Sequence, residues 1–310
     1  MNIFHSISDF TPAKKTIVTL GTFDGVHIGH RKIIEKLISN TLEGTYESLI
    51  LTFFPHPRMI LQADSNIKLL NTIEEKSVLL EQIGLDHLVI HPFDKDFSRL
   101  TAEDFVKKVL VDQFNIQKII IGHDHRFGRN RTATIDDLII YGEQYGFEVE
   151  QISAQEINEV SVSSTKIRTA LAEGNITLAN TYLGYPYFFT GKVVQGKQLG
   201  RTLGFPTANI RIKEEHKLIP KNGVYVVQST IEQRTIYGMM NIGFNPTIGV
   251  EGIQTIEVHF FDLNSDLYHK EIVISILFFI REEEKFDSLP LLQIQLEKDK
   301  ALALQLLNIR

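Results

Sequence analysis

The chain has 310 residues and a formal net charge of −6, and 43% of its residues are hydrophobic and 23% charged. This composition is typical of a globular protein, and the length leaves room for two domains. The sequence contains no cysteine, which excludes disulfides, thiolate metal sites and cysteine nucleophiles. The acidic balance argues against a general nucleic-acid binder. We therefore expect no nucleic-acid partner, but the charge does not argue against a small-molecule nucleotide ligand, because local basic residues can still bind phosphates.

No segment predicts insertion into a membrane. Residues 1–15 lack the basic and then apolar pattern of a signal peptide. The longest apolar run, residues 272–280, is far too short to span a bilayer and is typical of a buried strand. We predict a cytoplasmic protein that does not bind membranes.

Up to about residue 183, apolar runs alternate with stretches of helical spacing. The apolar runs predict strands at 17–20, 48–53, 87–90, 118–121 and 147–150. The other stretches predict helices at 28–39, 72–83, 102–112 and 135–145. This alternation predicts an α/β domain built on a doubly wound parallel sheet. Ligands of such sheets bind at the carboxyl ends of the strands.

A glycine-bracketed segment with two histidines follows the first predicted strand. It spans residues 21–30 and reads Gly-Thr-Phe-Asp-Gly-Val-His-Ile-Gly-His. His27 and His30 fall on the opening turn of a predicted helix, where free N–H groups and the helix dipole favour an anion. This placement suits attack at a nucleotide phosphate. The alternatives are polar turn residues or a zinc site, although a structural zinc site needs four ligands.

These residues resemble the H-x-G-H signature of the nucleotidyltransferase superfamily. The longer form, with Phe-Asp-Gly at 23–25, resembles the prokaryotic riboflavin kinase/FAD synthetase family. The resemblance implies catalytic roles for His27 and His30. It implies nucleotide binding by Gly21, Phe23, Asp24 and Gly29. Asp24 has two interpretations, a carboxylate that caps the turn or one that orients a histidine.

A second phosphate-binding segment is predicted at 162–168, Val-Ser-Ser-Thr-Lys-Ile-Arg. The hydroxyls of Ser163, Ser164 and Thr165 precede a helix that ends near residue 174, so they can cap it. Arg168 lies one turn further on and can bind phosphate oxygens in a forked geometry. Capping alone is the simpler explanation, but the segment also resembles the second ATP-binding signature of the same family.

Two further segments resemble the flavin-binding parts of that family. Residues 52–58 resemble T-F-x-P-H-P, which implies that His56 and Arg58 face a flavin phosphate, unless the two prolines only shape a loop. Residues 122–129 resemble G-x-D-F-x-F-G, which implies flavin contacts from Asp124 and Phe127. The chain departs from the pattern at His125, where the family has phenylalanine.

The pattern changes after residue 183 to short strand-like runs punctuated by glycine, proline and asparagine. Strands are predicted at 187–194, 223–229, 237–242, 255–261 and 271–280. A final helix is predicted from residue 289, with Leu292, Leu296, Ala303 and Leu307 on one face. This order predicts a small β-barrel with a terminal helix. We therefore predict one domain over 1–183 and a second over 184–310.

The second half contains a glycine-rich segment at 196–209 that ends in Gly-Phe-Pro-Thr-Ala-Asn. It is not a P-loop, because Gln198 follows Lys197 and no helix is predicted after it. Thr207 and Asn209 are two residues apart, so in an extended strand they face the same way and present oxygens that suit Mg²⁺. The segment resembles the riboflavin kinase signature, which implies nucleotide binding by Gly196, Gly200 and Gly204. The alternative is that these glycines only turn strands.

A kinase also needs an acceptor for the proton of its substrate hydroxyl. The family has its catalytic glutamate where this chain has Glu257, and the alternative is a strand residue that faces solvent. The segments 241–247 and 281–286 also match the family, which implies pocket walls around the flavin that include Arg281 and Phe286.

The resemblance therefore implies a bifunctional enzyme. Its C-terminal module phosphorylates riboflavin to FMN with ATP and Mg²⁺, and its N-terminal module adenylylates FMN to FAD and releases pyrophosphate. One alternative is a protein that retains a single activity. Another is a flavin-responsive binding protein without turnover.

Overall fold

The computed structural model of the chain describes residues 1–62, 66–122, 126–129, 132–153, 162–196, 199–244 and 254–308. The chain divides into two compact units, Met1–Ser163 and Ser164–Arg310. Among the described residues, no helix combines the length and the apolar character that crossing a membrane requires.

The first unit is built on a parallel sheet. Its described strands are β1 Asn2–Phe4, β2 Lys15–Leu20, β3 Tyr46–Phe53, β4 His87–His91, β5 Ile116–Gly122 and β6 Glu148–Ile152. They lie in the order β1-β4-β3-β2-β5-β6, and every pair is parallel. The order reverses direction between β2 and β5. In doubly wound sheets, ligands bind outside the carboxyl ends of the strands at this reversal.

Helices connect these strands. They are α1 Ile28–Ser39, α2 Pro57–Leu61, α3 Ile73–Ile83, α4 Ala102–Phe105 and α5 Ile135–Tyr145, with a π-helical segment at Val106–Val111 after α4. Right-handed crossovers put α1 and α3 on one face of the sheet and α4 and α5 on the other. The inner strands are buried on both faces, which is why they read as continuous apolar runs.

The second unit begins with two helices, α6 Ser164–Glu173 and α7 Ile176–Leu183. Asn180 Nδ2 donates to the carbonyl of Ile276 at 2.9 Å, and the backbone N–H of Lys221 donates to the carbonyl of Leu171 at 3.1 Å. These helices therefore pack with the later strands. The boundary predicted at residue 183 stays a prediction.

A closed antiparallel barrel makes up the rest of this unit. Its elements are β7 Phe188–Val194, α8 Leu199–Thr202, β8 Ala208–Arg211, β9 Gly223–Ile231, β10 Arg234–Phe244, β11 Gln254–Phe260, β12 Glu271–Arg281 and α9 Leu289–Leu306. The strands close in the order β10-β11-β8-β7-β12-β9. Alternate side chains fill the interior, among them Tyr225, Val227, Met240, Ile242 and Val258.

The outer face of the barrel carries the terminal helix. Ala303 of α9 is buried in a cluster with Val226 and Met239, and the other three predicted face residues, Leu292, Leu296 and Leu307, pack against it. The predicted fold class is confirmed, with a parallel α/β unit followed by a small barrel and a terminal helix. Sequence patterns missed the short strands β1 and β8.

Candidate active sites

The turn after β2 places the two histidines at the sheet reversal. His27 is the N-cap of α1, and its Nδ1 accepts a hydrogen bond from the backbone N–H of His30 at 3.3 Å. Because Nδ1 accepts, the ring proton of neutral His27 lies on Nε2, which is then a donor. Helix α1 begins and ends at the residues predicted from sequence.

The two imidazole rings stack on each other. Their centroids lie 3.6 Å apart with an interplanar angle of 17°, and the ring of Phe23 meets His30 edge-on at 5.2 Å. Burial lowers the pKa of His27 to about 4. Burial, and then the neighbouring His27 and Lys76, hold the pKa of His30 well below its ordinary value. Both rings are therefore neutral at neutral pH, and the pair offers N–H donors without charge.

The turn itself has an unusual backbone. Phe23 and Val26 are not glycines, yet their φ angles are +44° and +36°. Bulky and β-branched side chains are rare at positive φ, and each residue in this conformation costs about 1–3 kcal/mol of conformational free energy. Gly25, with φ +87°, takes the same region without a side-chain penalty. Surrounding contacts therefore hold this turn in place.

Two side chains, Asp24 and Lys76, link the turn to α3 and to the residues just before it. The buried carboxylate of Asp24 accepts from the backbone N–H of Leu70 at 2.9 Å and of Asn71 at 3.4 Å. The buried side chain of Lys76 donates from Nζ to the carbonyl of Thr22 at 2.7 Å. Asp24 therefore fastens the turn, and its nucleotide-binding role stays a prediction.

Lys76 belongs to none of the motifs predicted from the sequence. The signal for it was present, because Lys76 shares the apolar face of the predicted helix with Leu79 and Leu80, three and four positions further on. A lysine is rarely buried on such a face without a specific reason.

The second predicted phosphate-binding segment lies at the start of α6. The helix begins at Ser164, with Thr165 exposed in its first turn and Arg168 one turn further on. Ser163 immediately precedes the helix. The prediction that all three hydroxyl residues precede the helix is therefore wrong for Ser164 and Thr165, which lie in its first turn. Phosphate binding by these side chains stays a prediction.

The predicted flavin residues of the first unit have different surroundings. His56 is the N-cap of α2, and its Nδ1 accepts from the backbone N–H of Arg58 at 3.1 Å. Phe127 is buried in the core, with its ring centroid 6.1 Å from that of Phe105. Asp124 and His125 lie outside the described residues. The flavin roles predicted for this group stay predictions.

The second site forms where β8 and β11 pair. Asn209 lies opposite Glu257 in this antiparallel pair, and Thr207 Oγ1 donates to Glu257 Oε2 at 3.0 Å. Glu257 also lies opposite Asn241 of β10. Hydroxyl, carboxamide and carboxylate oxygens thus converge, and this donor set is the one that Mg²⁺ prefers.

The glycines of the preceding segment allow close packing. A side chain at Gly196 would overlap that of Asn209, and one at Gly200 would overlap the carbonyl of Phe205. Gly204 has φ +81°. Close packing at Gly196 and Gly200 and the positive φ angle of Gly204 therefore explain the glycines at these three positions, independently of any role in nucleotide binding.

Alternation along β11 places Glu257 on the outer face of the barrel. His259, two residues on, lies opposite Met239, which packs under α9. His259 Nδ1 lies 2.9 Å from the carbonyl of Pro206, and its ring packs edge-on against Phe205 at 5.1 Å. Burial lowers the pKa of His259, so the neutral ring donates from Nδ1 to Pro206.

The two residues predicted to wall the flavin pocket contact each other. Arg281 makes a forked ion pair with the buried Asp299 of α9, with Nη2–Oδ2 at 2.7 Å and Nε–Oδ1 at 3.0 Å. Its guanidinium also lies 5.7 Å from the ring centroid of Phe286. Arg281 thus ties β12 to α9, and its flavin role stays a prediction. Residues 245–247 lie outside the described residues.

The fold and its two sites define a class of protein. A parallel sheet with an imidazole pair at its reversal suits nucleotidyl transfer. A barrel with clustered oxygen ligands beside a carboxylate suits phosphoryl transfer. Together they are the arrangement of an ATP-dependent transferase with two sites.

Comparison with known proteins gives the family. The FAD synthetase family model matches residues 10–166, and the riboflavin kinase family model matches residues 183–307. The chain belongs to the bifunctional riboflavin kinase/FMN adenylyltransferase family. The family predicted from the motifs and the predicted order of its two modules are therefore confirmed.

Individual relatives match over nearly their whole length. The bifunctional riboflavin kinase/FMN adenylyltransferase of Listeria monocytogenes is 36% identical over 285 residues, which cover 92% of this chain and 90% of the relative. The protein of the same name from Escherichia coli K12 is 35% identical over 301 residues, 96% of this chain and 95% of the relative. A crystal structure from Streptococcus pneumoniae, described as a macrolide-efflux protein, matches with a TM-score of 0.88 and 30% identity over 97% of this chain and 98% of its own.

Proposed function

We propose that this chain makes FAD from riboflavin in two ATP-dependent steps. The C-terminal module phosphorylates riboflavin to FMN, and the N-terminal module transfers AMP from a second ATP to FMN. The observation that carries the proposal is the presence in one chain of the stacked His27–His30 pair and the Thr207–Asn209–Glu257 cluster. The modules correspond to 1–183 and 184–310.

In adenylyl transfer, a phosphate oxygen of FMN attacks the α-phosphorus of ATP and pyrophosphate leaves. Catalysis consists of positioning and of offsetting the negative charge that grows on the phosphate oxygens. His27 donates from Nε2, and the free N–H groups of α1 add further donors. His30, whose Nδ1 makes no hydrogen bond within the described part of the chain, completes the pair.

In riboflavin phosphorylation, the ribityl 5′-hydroxyl attacks the γ-phosphorus of ATP and ADP leaves. Glu257 accepts the hydroxyl proton as the new O–P bond forms. Thr207 and Asn209 would hold Mg²⁺ through their side-chain oxygens, since the hydroxyl of Thr207 keeps an acceptor lone pair while it donates to Glu257. When bound, Mg²⁺ would supply positive charge that offsets the charge on the ATP phosphates.

The remaining predicted contacts complete the proposal. Ser163, Ser164, Thr165 and Arg168 bind ATP phosphates in adenylyl transfer, and the kinase loop of Gly196, Gly200 and Gly204 brings backbone N–H groups close to the other ATP. The flavin contacts are His56, Arg58, Asp124, Phe127, Arg281 and Phe286. The enzyme works in the cytoplasm on riboflavin, FMN and ATP, with no nucleic-acid or membrane partner.

One incubation tests both activities. The purified chain is incubated with riboflavin, ATP and Mg²⁺, and the flavins are separated by chromatography. FAD as product supports the proposal. FMN alone supports the alternative of a single retained activity, and unchanged riboflavin that still binds supports the alternative of a flavin-responsive binding protein.

Two substitutions separate the sites. His30→Ala should abolish FAD formation while FMN formation continues. Glu257→Ala should lower FMN formation by about 10²–10⁴-fold, the usual contribution of a general base, while supplied FMN is still adenylylated. His5→Ala and Glu271→Ala are matched controls, because both side chains are exposed. If His30→Ala or Glu257→Ala lost both activities while the protein stayed folded, the assignment of one activity to each site would be contradicted.

A further inference from the structure

Lys76 is a buried cation that the two reactions above do not use. Its side chain lies on α3 and is 4% exposed. Within the described part of the chain, its ammonium group makes one hydrogen bond, to the carbonyl of Thr22 at 2.7 Å. An ammonium group has three N–H donors, so this buried cation has more donors than these residues use.

The acceptor lies in the turn that carries the histidines. The carbonyl of Thr22 also accepts from Thr52 Oγ1 at 3.3 Å. Asp24, two residues further along, fastens the same turn to the backbone at Leu70. The hydrogen bond from Lys76 is thus one of the contacts that stabilise this turn, in which the non-glycine residues Phe23 and Val26 have positive φ angles.

The position is electrostatically unfavourable for the isolated protein. Burial lowers the pKa of Lys76 to about 8, although the carboxylate of Asp24 acts in the opposite direction. The same ammonium helps to lower the pKa of His30. An uncharged side chain of similar length would fill this space without that cost, and buried polar groups normally use their hydrogen-bonding capacity. A lysine here, near the enclosed Nδ1 of His30, which has no hydrogen-bond partner among the described residues, therefore points to an anion that binds and leaves.

We propose that Lys76 is a positioning residue for adenylyl transfer: by holding the Thr22 carbonyl it fixes the turn that carries His27 and His30, and its charge attracts the triphosphate to that turn. The proposal rests on the adenylyl-transfer function assigned to the first unit. Lys76 acts through the turn and through the local potential, so it differs from the imidazoles that donate to the substrate.

The test compares Lys76→Met with Lys14→Met in the full chain. Lys14 is an exposed lysine of the same unit that also donates to a backbone carbonyl, that of Gly44 at 2.8 Å, so it is a matched control. We expect kcat/KM for adenylyl transfer to fall about 100-fold in Lys76→Met, as a small displacement of reacting groups does. Riboflavin phosphorylation by the same protein should be unchanged, and the control should match the wild type in both.

Stability and pH dependence separate positioning from a merely structural role. Lys76→Met should unfold at the same temperature as the wild type or higher at pH 7, because it removes a buried charge. Wild-type kcat/KM, which reports the free enzyme, should decline as the pH rises through about 8, the pKa of Lys76, and the decline should be absent in Lys76→Met. Lys76→Arg, which keeps the charge, should retain more activity than Lys76→Met.

A measurement without substrates tests the turn directly. In Lys76→Met, hydrogen exchange of the backbone amides at 22–31 should be faster than in the wild type, while exchange in β3 and β4 is unchanged. Unchanged exchange in the turn, or wild-type adenylyl transfer by Lys76→Met, overturns the positioning role. A wild type that forms no FAD refutes the proposed function instead, and the exchange result still decides whether Lys76 holds the turn.

Discussion

The buried, neutral state of His27 predicts a specific loss of stability in acid. His27 is 5% exposed, and its pKa is about 4 in the folded chain against 6.5 for an ordinary histidine. Below pH 6.5 the unfolded chain therefore binds a proton on this ring that the folded chain does not bind until about pH 4. Stability is unaffected by this group above pH 6.5 and falls between pH 6.5 and pH 4. The gap between the two pKa values corresponds to about 3 kcal/mol.

The variant His27→Asn isolates this contribution. Asparagine is a good N-cap, so its side chain can replace Nδ1 as acceptor for the backbone N–H of His30, but it does not titrate. His27→Ala removes the cap as well and should be about 1 kcal/mol less stable than His27→Asn at every pH. The wild type should lose about 3 kcal/mol more than His27→Asn between pH 7 and pH 4.

Hydrogen exchange of the amides in α1, corrected for the intrinsic effect of pH, measures this difference within the first unit. The difference between the wild type and His27→Asn cancels other groups that titrate over the same range. If both proteins lost stability equally between pH 7 and pH 4, the ring of His27 would not be held neutral by burial, and the reasoning about neutral donors would fail with it.

Three further predictions concern the second unit. Asn209→Ala should raise the Mg²⁺ concentration needed for half-maximal riboflavin phosphorylation at least about tenfold in a Mg²⁺ titration. An unchanged Mg²⁺ requirement would exclude Asn209 as a ligand. Asp299→Asn should destabilise this unit by about 3–5 kcal/mol in urea unfolding, because it removes the buried negative charge that compensates the guanidinium of Arg281. A loss below about 1 kcal/mol would mean that the pair behaves as an exposed ion pair. Gly200→Ala should abolish riboflavin phosphorylation, because the added methyl group overlaps the carbonyl of Phe205, while adenylyl transfer to supplied FMN continues. Full kinase activity of this variant would contradict that packing.

Local patterns predicted the elements around the first site well. The helix over 28–39 was predicted residue for residue, because an N-capping side chain and regular apolar spacing are both local signals. The predicted helix over 102–112 is instead a short α-helix followed by a π-helical segment, Val106–Val111. Apolar spacing does not distinguish these, since both bury one face. Strand β8 was not predicted, because its four residues include one buried side chain and therefore show almost no alternation of apolar and polar residues.

The reactive groups can be identified from local sequence: imidazoles at the start of a helix, and a hydroxyl, a carboxamide and a carboxylate in extended segments. Which of these groups contact one another depends on the folding of the chain. Thr207 contacts Glu257 across 50 positions, and the turn of His27 and His30 is held by Lys76 from another helix. Strand pairing and burial set such contacts, and both depend on residues far apart in the chain. Local sequence therefore encodes the reactive groups, whereas packing sets their distances, their pKa values and their partners.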